Sequence, residues 1–522
     1  MNVAAVLMEI LRSAGVRRLF GNPGTTELPF LDALPDSGLE YVVGLQEATA
    51  VAAADGYAQA SGQLGVANVH VAPGLANSLS ILHNAARAKT PLVLTAGQQD
   101  TRFLVDDPIL AGDLVRMAEQ FTKWSYQIRG APEAPAVLRR ALKIALTPPT
   151  GPVFLSLPME LMGAVVEDAG AGPLPVASRT RPEAGAIGRA AGLLAGARAP
   201  IIIAGDGVAR SGAVHELTEL AELIGARVHG EPVYRRTSFP GHHALWRGGL
   251  YPSPPAVRKA LEECDALLVV GANVFTWFLH TEGEPFPRGL QVVQIDDDSW
   301  EIGRSYPVAL GIVADPRTAI VELTGALRTR LGEAERRAAA ARVEKIGKAR
   351  GELMARLKAT AEAEAERKPI GQAHLMHTLA SLLLADGIVV DESATSLPFV
   401  LRYMPFSMPG SLYGSKTGTL AADHVRGPEQ RVLRDPQVRH AEPWPRLGQA
   451  RYLSRDGSRG ARDRLRGARA LAGRSRRARR QAGRSPRRAG LLPRSRRTHA
   501  RRRRDRPRLQ VVRFAAEGEA SL

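Results

Sequence analysis

A single carboxylate, Glu47, opens a stretch otherwise built of small apolar residues, Leu45-Gln46-Glu47-Ala48-Thr49-Ala50, which leads into Ala54-Asp55-Gly56-Tyr57-Ala58. The Ala-rich, Pro-free run from Glu47 to Ala60 predicts a buried helix after a short buried strand at Tyr41-Val42-Val43-Gly44. Glu47 then falls in the first helical turn. There a carboxylate either complements the helix dipole or, where burial raises its pKa, handles protons. Two loops flank it at the spacing of one α/β unit. Phe20-Gly21-Asn22-Pro23-Gly24-Thr25-Thr26-Glu27 is a strand end, a Gly/Pro turn and a Thr-capped helix start; Val66-Ala67-Asn68-Val69-His70 is a strand running into Ala72-Pro73-Gly74-Leu75-Ala76-Asn77. Both loops belong at the carboxyl ends of parallel strands, where open α/β sheets place ligands, so they form one site with Glu47.

Gly21-Asn22-Pro23-Gly24, Leu45-Gln46-Glu47-Ala48, Ala54-Asp55-Gly56-Tyr57-Ala58 and Asn68-Val69-His70 together resemble the thiamine-diphosphate-dependent decarboxylase and carboligase superfamily, closest to benzoylformate decarboxylase. The resemblance continues through Ala96-Gly97-Gln98-Gln99, Lys123-Trp124-Ser125-Tyr126 and Gly151 to Pro158, and runs from residue 1 to about residue 420. It implies three α/β domains and thiamine diphosphate bound through Mg²⁺. It also implies carbon–carbon lyase chemistry on a small 2-oxo acid, and a homodimer or homotetramer whose subunits share each site. Glu47 matches the buried Glu that holds the cofactor's aminopyrimidine in its imino form. His70 matches a histidine that moves protons at the cofactor. Thr25 stands where benzoylformate decarboxylases usually carry Ser, its hydroxyl within reach of the substrate carboxylate. Asn22, Pro23, Gly24, Gly74 and Asn77 match cofactor-binding positions around Glu47, and Ala394, Thr395, Gly418 and Leu420 match positions near the diphosphate and the bent cofactor. The second active-site histidine of those relatives is replaced by Phe278, and His280 lies two residues further on.

The elements that must position these residues follow in order. Val3, Leu7, Ile10, Leu11 and Ala14 give the opening Met1 to Phe20 an amphipathic helical pattern. It lacks the apolar core of a leader, and no run of 18 apolar residues occurs, so neither export nor membrane insertion is expected and the protein reads as cytoplasmic. The lone Cys264 excludes an intramolecular disulfide and a Cys-cluster metal site. Residues 1–165 alternate short strands with Ala/Leu-rich helices, the pattern of a parallel sheet covered on both faces, here the pyrimidine-binding domain. Residues 166–184 read as a linker and 185–330 as a Rossmann-like middle domain, with strands at Pro200-Ile201-Ile202-Ile203, Ala266 to Val270 and Gln291 to Asp296. It has no Gly-x-Gly-x-x-Gly, so FAD is not indicated. Its Gly205-Asp206-Gly207 imitates the family's magnesium motif, but no Asn follows before Asn273, and it reads as a turn in which Gly takes positive φ. Residues 331–368 predict an exposed connecting helix, and 369–420 begin a diphosphate-binding domain.

From Thr419 to Leu522 the composition changes. That segment holds 30 Arg against 9 acidic residues, a charge of +21, whereas residues 1–418 carry −3. It contains no Lys, Asn, Ile, Met or Cys, it has lost apolar periodicity, and Arg501 to Arg508 includes six Arg. Disorder is expected of residues 421–522. One reading is a basic arm that binds nucleic acid by counterion release. The other is a GC-rich gene read in a wrong frame, which makes nucleic-acid affinity an artefact and removes the expected metal loop, leaving no metal ligands in the chain. The expected function is non-oxidative decarboxylation of a 2-oxo acid, impaired in this chain. The alternatives are an acetolactate-synthase-like carboligase and an inactive enzyme fold with a basic arm.

Overall fold

The computed structural model describes residues 1–167, 178–277, 279–393 and 396–416. Phe278, Ala394, Thr395, Gly418, Leu420, the Arg-rich segment and most of the 166–184 linker lie outside the described residues.

The first sheet contains β1 (Arg18–Asn22), β2 (Glu40–Val43), β3 (Gly65–Val69), β4 (Leu92–Gln98), β5 (Trp124–Gln127) and β6 (Pro152–Pro158), in the order β2-β1-β3-β4-β6-β5. Every neighbouring pair is parallel. Strand alternation sends Val153 and Leu155 to one core and Phe154 to the other, so both faces are apolar and both are covered by helices. The opening helix α1 spans Val3–Ser13, shorter than Met1 to Phe20, because Arg18 to Asn22 extends into β1. The strand before Glu47 is not buried as expected. β2 is an edge strand, and Val43 is 64% exposed.

The second sheet contains β7 (Pro200–Ala204), β8 (Arg227–Gly230), β9 (Trp246–Gly249), β10 (Ala266–Val270), β11 (Gln291–Asp296) and β12 (Leu310–Val313), in the order β12-β11-β10-β7-β8-β9, again all parallel. Ile202, Leu268 and Val270 face one core, and Ile201, Ile203, Leu267 and Val269 the other. Among the described residues a third sheet has two parallel strands, β13 (Val389–Asp391) and β14 (Leu412–Gly414). The fold is therefore α/β with helix-covered parallel sheets. No helix among the described residues is long and apolar enough to cross a membrane.

Candidate active site

Helix α2 (Glu47–Ser61) starts where β2 ends. It is capped by the Gln46 side chain accepting from the Thr49 N–H, and it is buried from Ala50 to Ala58 because alanines let it pack close to the sheet. Glu47 itself is half-buried rather than buried. Its Oε2 accepts from Asn77 Nδ2 at 3.0 Å. Helix α3 (Val71–Arg87) crosses close enough that a Cβ on Gly74 would lie 3.2 Å from Glu47 Cγ and 3.4 Å from its Oε1. Gly74 thus keeps the carboxylate accessible, and Asn77 orients it.

His70 is the N-cap residue of α3, and the backbone then turns through the left-handed region at the fully buried Val71 (φ 41°). A β-branched residue adopts that conformation only when its packing imposes it. The ring reaches back to the first loop, where Nδ1 lies 2.7 Å from Glu27 Oε2 and 3.2 Å from Thr26 Oγ1. Glu27 is 1% exposed and accepts from the Gly24 N–H (2.7 Å), the Thr26 hydroxyl (2.8 Å) and the Gly97 N–H (2.9 Å). Three other donors on one buried carboxylate make it an acceptor, so Nδ1 of His70 carries the hydrogen of this contact. A Cβ on Gly24 would fall 2.3 Å from His70 Nδ1, so only Gly admits the ring.

The first loop differs locally from its sequence reading. The 3₁₀ turn Thr25–Glu27 is capped through Gly24, with the Glu27 side chain accepting the Gly24 N–H; Thr is not the cap. Thr26, not Thr25, contacts His70, and Thr25 is exposed beside it, with Asn22, Pro23 and Gly24 leading in from β1. Glu27 went unassigned in the sequence, although Gly24 three residues before a Glu has the spacing of a capping box.

A second constellation ties the loops after β13 and β14 to the rest. Asp55 of α2 accepts from Asn84 Nδ2 (2.8 Å), and Asn84 Oδ1 accepts from Ser415 Oγ (3.1 Å) and the Lys416 N–H (3.0 Å). Lys416 Nζ then pairs with Asp206 (2.6 Å) and Glu231 (2.9 Å). Asp206 accepts the Arg235 N–H (3.2 Å), Arg236 donates to Gln59 (2.9 Å), and Gln59 donates to Asp55 (2.9 Å), which closes a ring. Arg235 also pairs with Asp391 at 2.7 Å, and Asp391 accepts from Ser393 Oγ. Burial alone raises a carboxyl pKa. At Asp206 the Lys416 and Arg236 charges outweigh it and hold the group below its usual range, whereas at Glu231 burial wins and raises it. Burial also opposes the charge on Lys416, but the two carboxylates hold its pKa above the usual value.

Gly205-Asp206-Gly207 is thus an ion-pair anchor. Its glycines are not in positive φ, contrary to expectation. They are required because a Cβ at Gly205 would lie 2.2 Å from the Gly271 carbonyl oxygen, and one at Gly207 2.6 Å from Gly271 Cα. Beside the ring lies a cavity of about 760 Å³, lined in part by His83, Arg87, Arg235, Trp277, Ser393 and Lys416. His280 is exposed.

Both constellations use α3, but at opposite ends: Asn77 meets Glu47, while His83 and Arg87 face the cavity. Ten residues of helix separate Asn77 from Arg87, about 15 Å at 1.5 Å per residue.

The family models described as "Thiamine pyrophosphate enzyme, N-terminal TPP binding domain" and "Thiamine pyrophosphate enzyme, central domain" match residues 1–118 and 187–323. The chain is 31% identical over 418 residues to the benzoylformate decarboxylase of Pseudomonas aeruginosa, covering 79% of this chain and 75% of that protein. It is 32% identical over 336 residues to the "Probable acetolactate synthase large subunit" of Methanocaldococcus jannaschii, covering 63% of this chain and 56% of the relative. The crystal structure of benzoylformate decarboxylase from Polynucleobacter necessarius aligns with a TM-score of 0.70 at 27% identity, over 80% of this chain and 75% of that one. With the Glu47 and His70 loops in place and similarity across most of its length, the chain belongs to the thiamine-diphosphate-dependent enzyme family.

Proposed function

We propose that the chain carries the proton-handling half of a site that decarboxylates a 2-oxo acid without oxidation, as a carbon–carbon lyase like the benzoylformate decarboxylases it resembles. The observation that carries this reading is the meeting of Glu47, Gly74 and Asn77. A carboxylate at a helix start, reached from one side by an amide and left uncovered by a glycine, fits the ring nitrogen of an aminopyrimidine. Thiamine diphosphate, when bound, would supply a carbon acid and an electron sink for the decarboxylation of a 2-oxo acid, with its aminopyrimidine held beside Glu47. Glu47 shares a proton with the ring nitrogen. His70, its Nδ1 fixed on Glu27, offers Nε2 for proton transfer near the reacting carbonyl. Thr25 presents an exposed hydroxyl to the substrate carboxylate, and Asn22, Pro23 and Gly24 form the adjoining wall.

Among the described residues no group of three His, Cys, Asp or Glu side chains could hold a metal ion. By resemblance, Mg²⁺ and the diphosphate are assigned to residues that an intact third domain supplies, with Ala394, Thr395, Gly418 and Leu420 at its start. The resemblance implies a homodimer or homotetramer in which a second copy completes each site.

In a version with an intact third domain, Glu47→Gln should lower turnover of 2-oxo acids by two or more orders of magnitude and leave cofactor affinity within a few-fold. Retained turnover would refute the assignment. A carboligase of the acetolactate-synthase type is the second reading, favoured by the similarity to that group and by Phe278 in place of the second histidine. Product analysis with pyruvate separates the two, acetaldehyde against acetolactate.

For the Arg-rich segment we propose a shifted reading frame. Read one base out of frame beyond the codon for about Leu420, the gene should encode a buried strand ending in Gly-Asp-Gly and an Asn about two dozen residues later, the oxygen ligands of a cation bridging a diphosphate. Early stops in every alternative frame would instead leave the nucleic-acid-binding arm as the reading.

A further inference from the structure

An unbalanced cluster of positive charge lies at the β9 edge of the middle sheet. Val228 of β8 pairs with Trp246 of β9, and both point into the core. Strand alternation therefore turns Arg227, His229 and Arg247 to the opposite face. Helix α4 (Glu333–Ala363) runs along this edge, tied down where Arg342 Nη2 donates to the Ile224 carbonyl (2.7 Å) and Arg350 Nη2 to the Gly241 carbonyl (2.9 Å). That docking brings Arg350 and Arg356 close enough for charge repulsion with the Arg247 guanidinium, which also feels Arg227.

Little compensates this charge. Among the described residues the cluster's ion pair is Arg227 with Glu263, at 3.6 Å, and that carboxylate is 80% exposed. Nη1 of Arg247 is buried and has no hydrogen-bond partner among the described residues. Burial pushes the Arg247 and Arg350 guanidiniums below their usual pKa, helped by their neighbours' charges. Burial, then Arg227 and Arg247, push the His229 imidazole down to about 3, so it adds no charge at neutral pH. Half-buried guanidiniums that repel one another, with a buried donor left over, are costly unless an anion completes them, and their planar forks match the several oxygens of a phosphate. The cluster lies toward the amino ends of β8 and β9, away from Glu231 and Arg235 at the carboxyl end of β8, and so is separate from the ring around Lys416.

We propose that Arg227, Arg247 and Arg350, with Arg356 at the rim, form a binding site for a phosphate group, with Arg247 its central donor. The phosphate is either the free ion or the head of a phosphomonoester.

The test is calorimetric titration of the full-length chain with inorganic phosphate at constant ionic strength, comparing wild type with Arg247→Met and Arg350→Gln. The expected result is a saturable component that weakens at least tenfold in Arg247→Met and several-fold in Arg350→Gln. Without phosphate, Arg247→Met should melt no lower than wild type, because removing an uncompensated charge relieves repulsion. Every arginine of the basic C-terminal segment stays in these variants, so a component that persists undiminished in both overturns the site, as does the absence of saturable binding in wild type. If Arg247→Met fails to fold, Arg350→Gln decides alone. Repeating the titration with glycerol phosphate identifies the source: tighter binding than inorganic phosphate upholds the site for a phosphomonoester, and equal or weaker binding upholds it for the free ion.

Discussion

Nδ1 of His70 lies 2.7 Å from Oε2 of Glu27, a carboxylate that also takes the backbone N–H groups of Gly24 and Gly97. One buried side chain thereby fixes the loop after β1, the imidazole after β3 and the end of β4.

Glu27→Ala should cost about 1–3 kcal/mol for each buried N–H it leaves unpaired, so the variant should unfold at clearly lower urea than wild type. Glu27→Gln keeps an acceptor oxygen and should lie between the two. Equal midpoints for Glu27→Ala and wild type would show that the pair does not organise the loop.

Lys416 is the cation of a buried pair with Asp206 and Glu231. Lys416→Met strands both carboxyls in a dry site and should cost about 3–5 kcal/mol, whereas removing all three charges together, with Asp206→Asn and Glu231→Gln, should recover much of the loss. Thermal melts of the single and triple variants check this; a harmless single variant would show that the ring carries no stability.

How much of this was legible in sequence depends on the range of each interaction. Strands such as β3, β7, β10 and β11 and the loops carrying Glu47 and His70 were readable, because apolar runs and Gly/Pro punctuation are local signals; the short β8 and β9 were not. Glu27 was not, since a Glu after two threonines reads as an ordinary first-turn residue, and its partners Gly97 and His70 come together only through strand order. The ring was less accessible still. Asn84 and Ser415 are 331 positions apart, and nothing local in Ala54-Asp55-Gly56 indicates that Asp55 anchors a loop of another unit.

Asp296 ends β11 against Lys89 (3.3 Å), with Asp297, Asp298 and Arg210 around them. Burial, only partly offset by Lys89, raises its carboxyl to about 7. The folded protein thus holds this proton more tightly than the unfolded chain, whose carboxyl titrates at about 3.9. The stability it contributes is complete below about pH 4 and is lost as pH rises through about 7. Asp296→Asn, neutral throughout, should therefore melt close to wild type at pH 4 and above it at pH 8. A difference independent of pH would show that Asp296 does not titrate in this range.

The central claim is that Glu47 removes the barrier to ionising the cofactor's reactive carbon. Deuterium exchange at C2 of thiamine diphosphate, measured by NMR after acid quench on protein with the third domain in frame, tests it most directly. Exchange should be fast on wild type and slower by two or more orders of magnitude on Glu47→Gln, with cofactor still bound. Equally fast exchange on both would contradict the claim and move proton activation to another group.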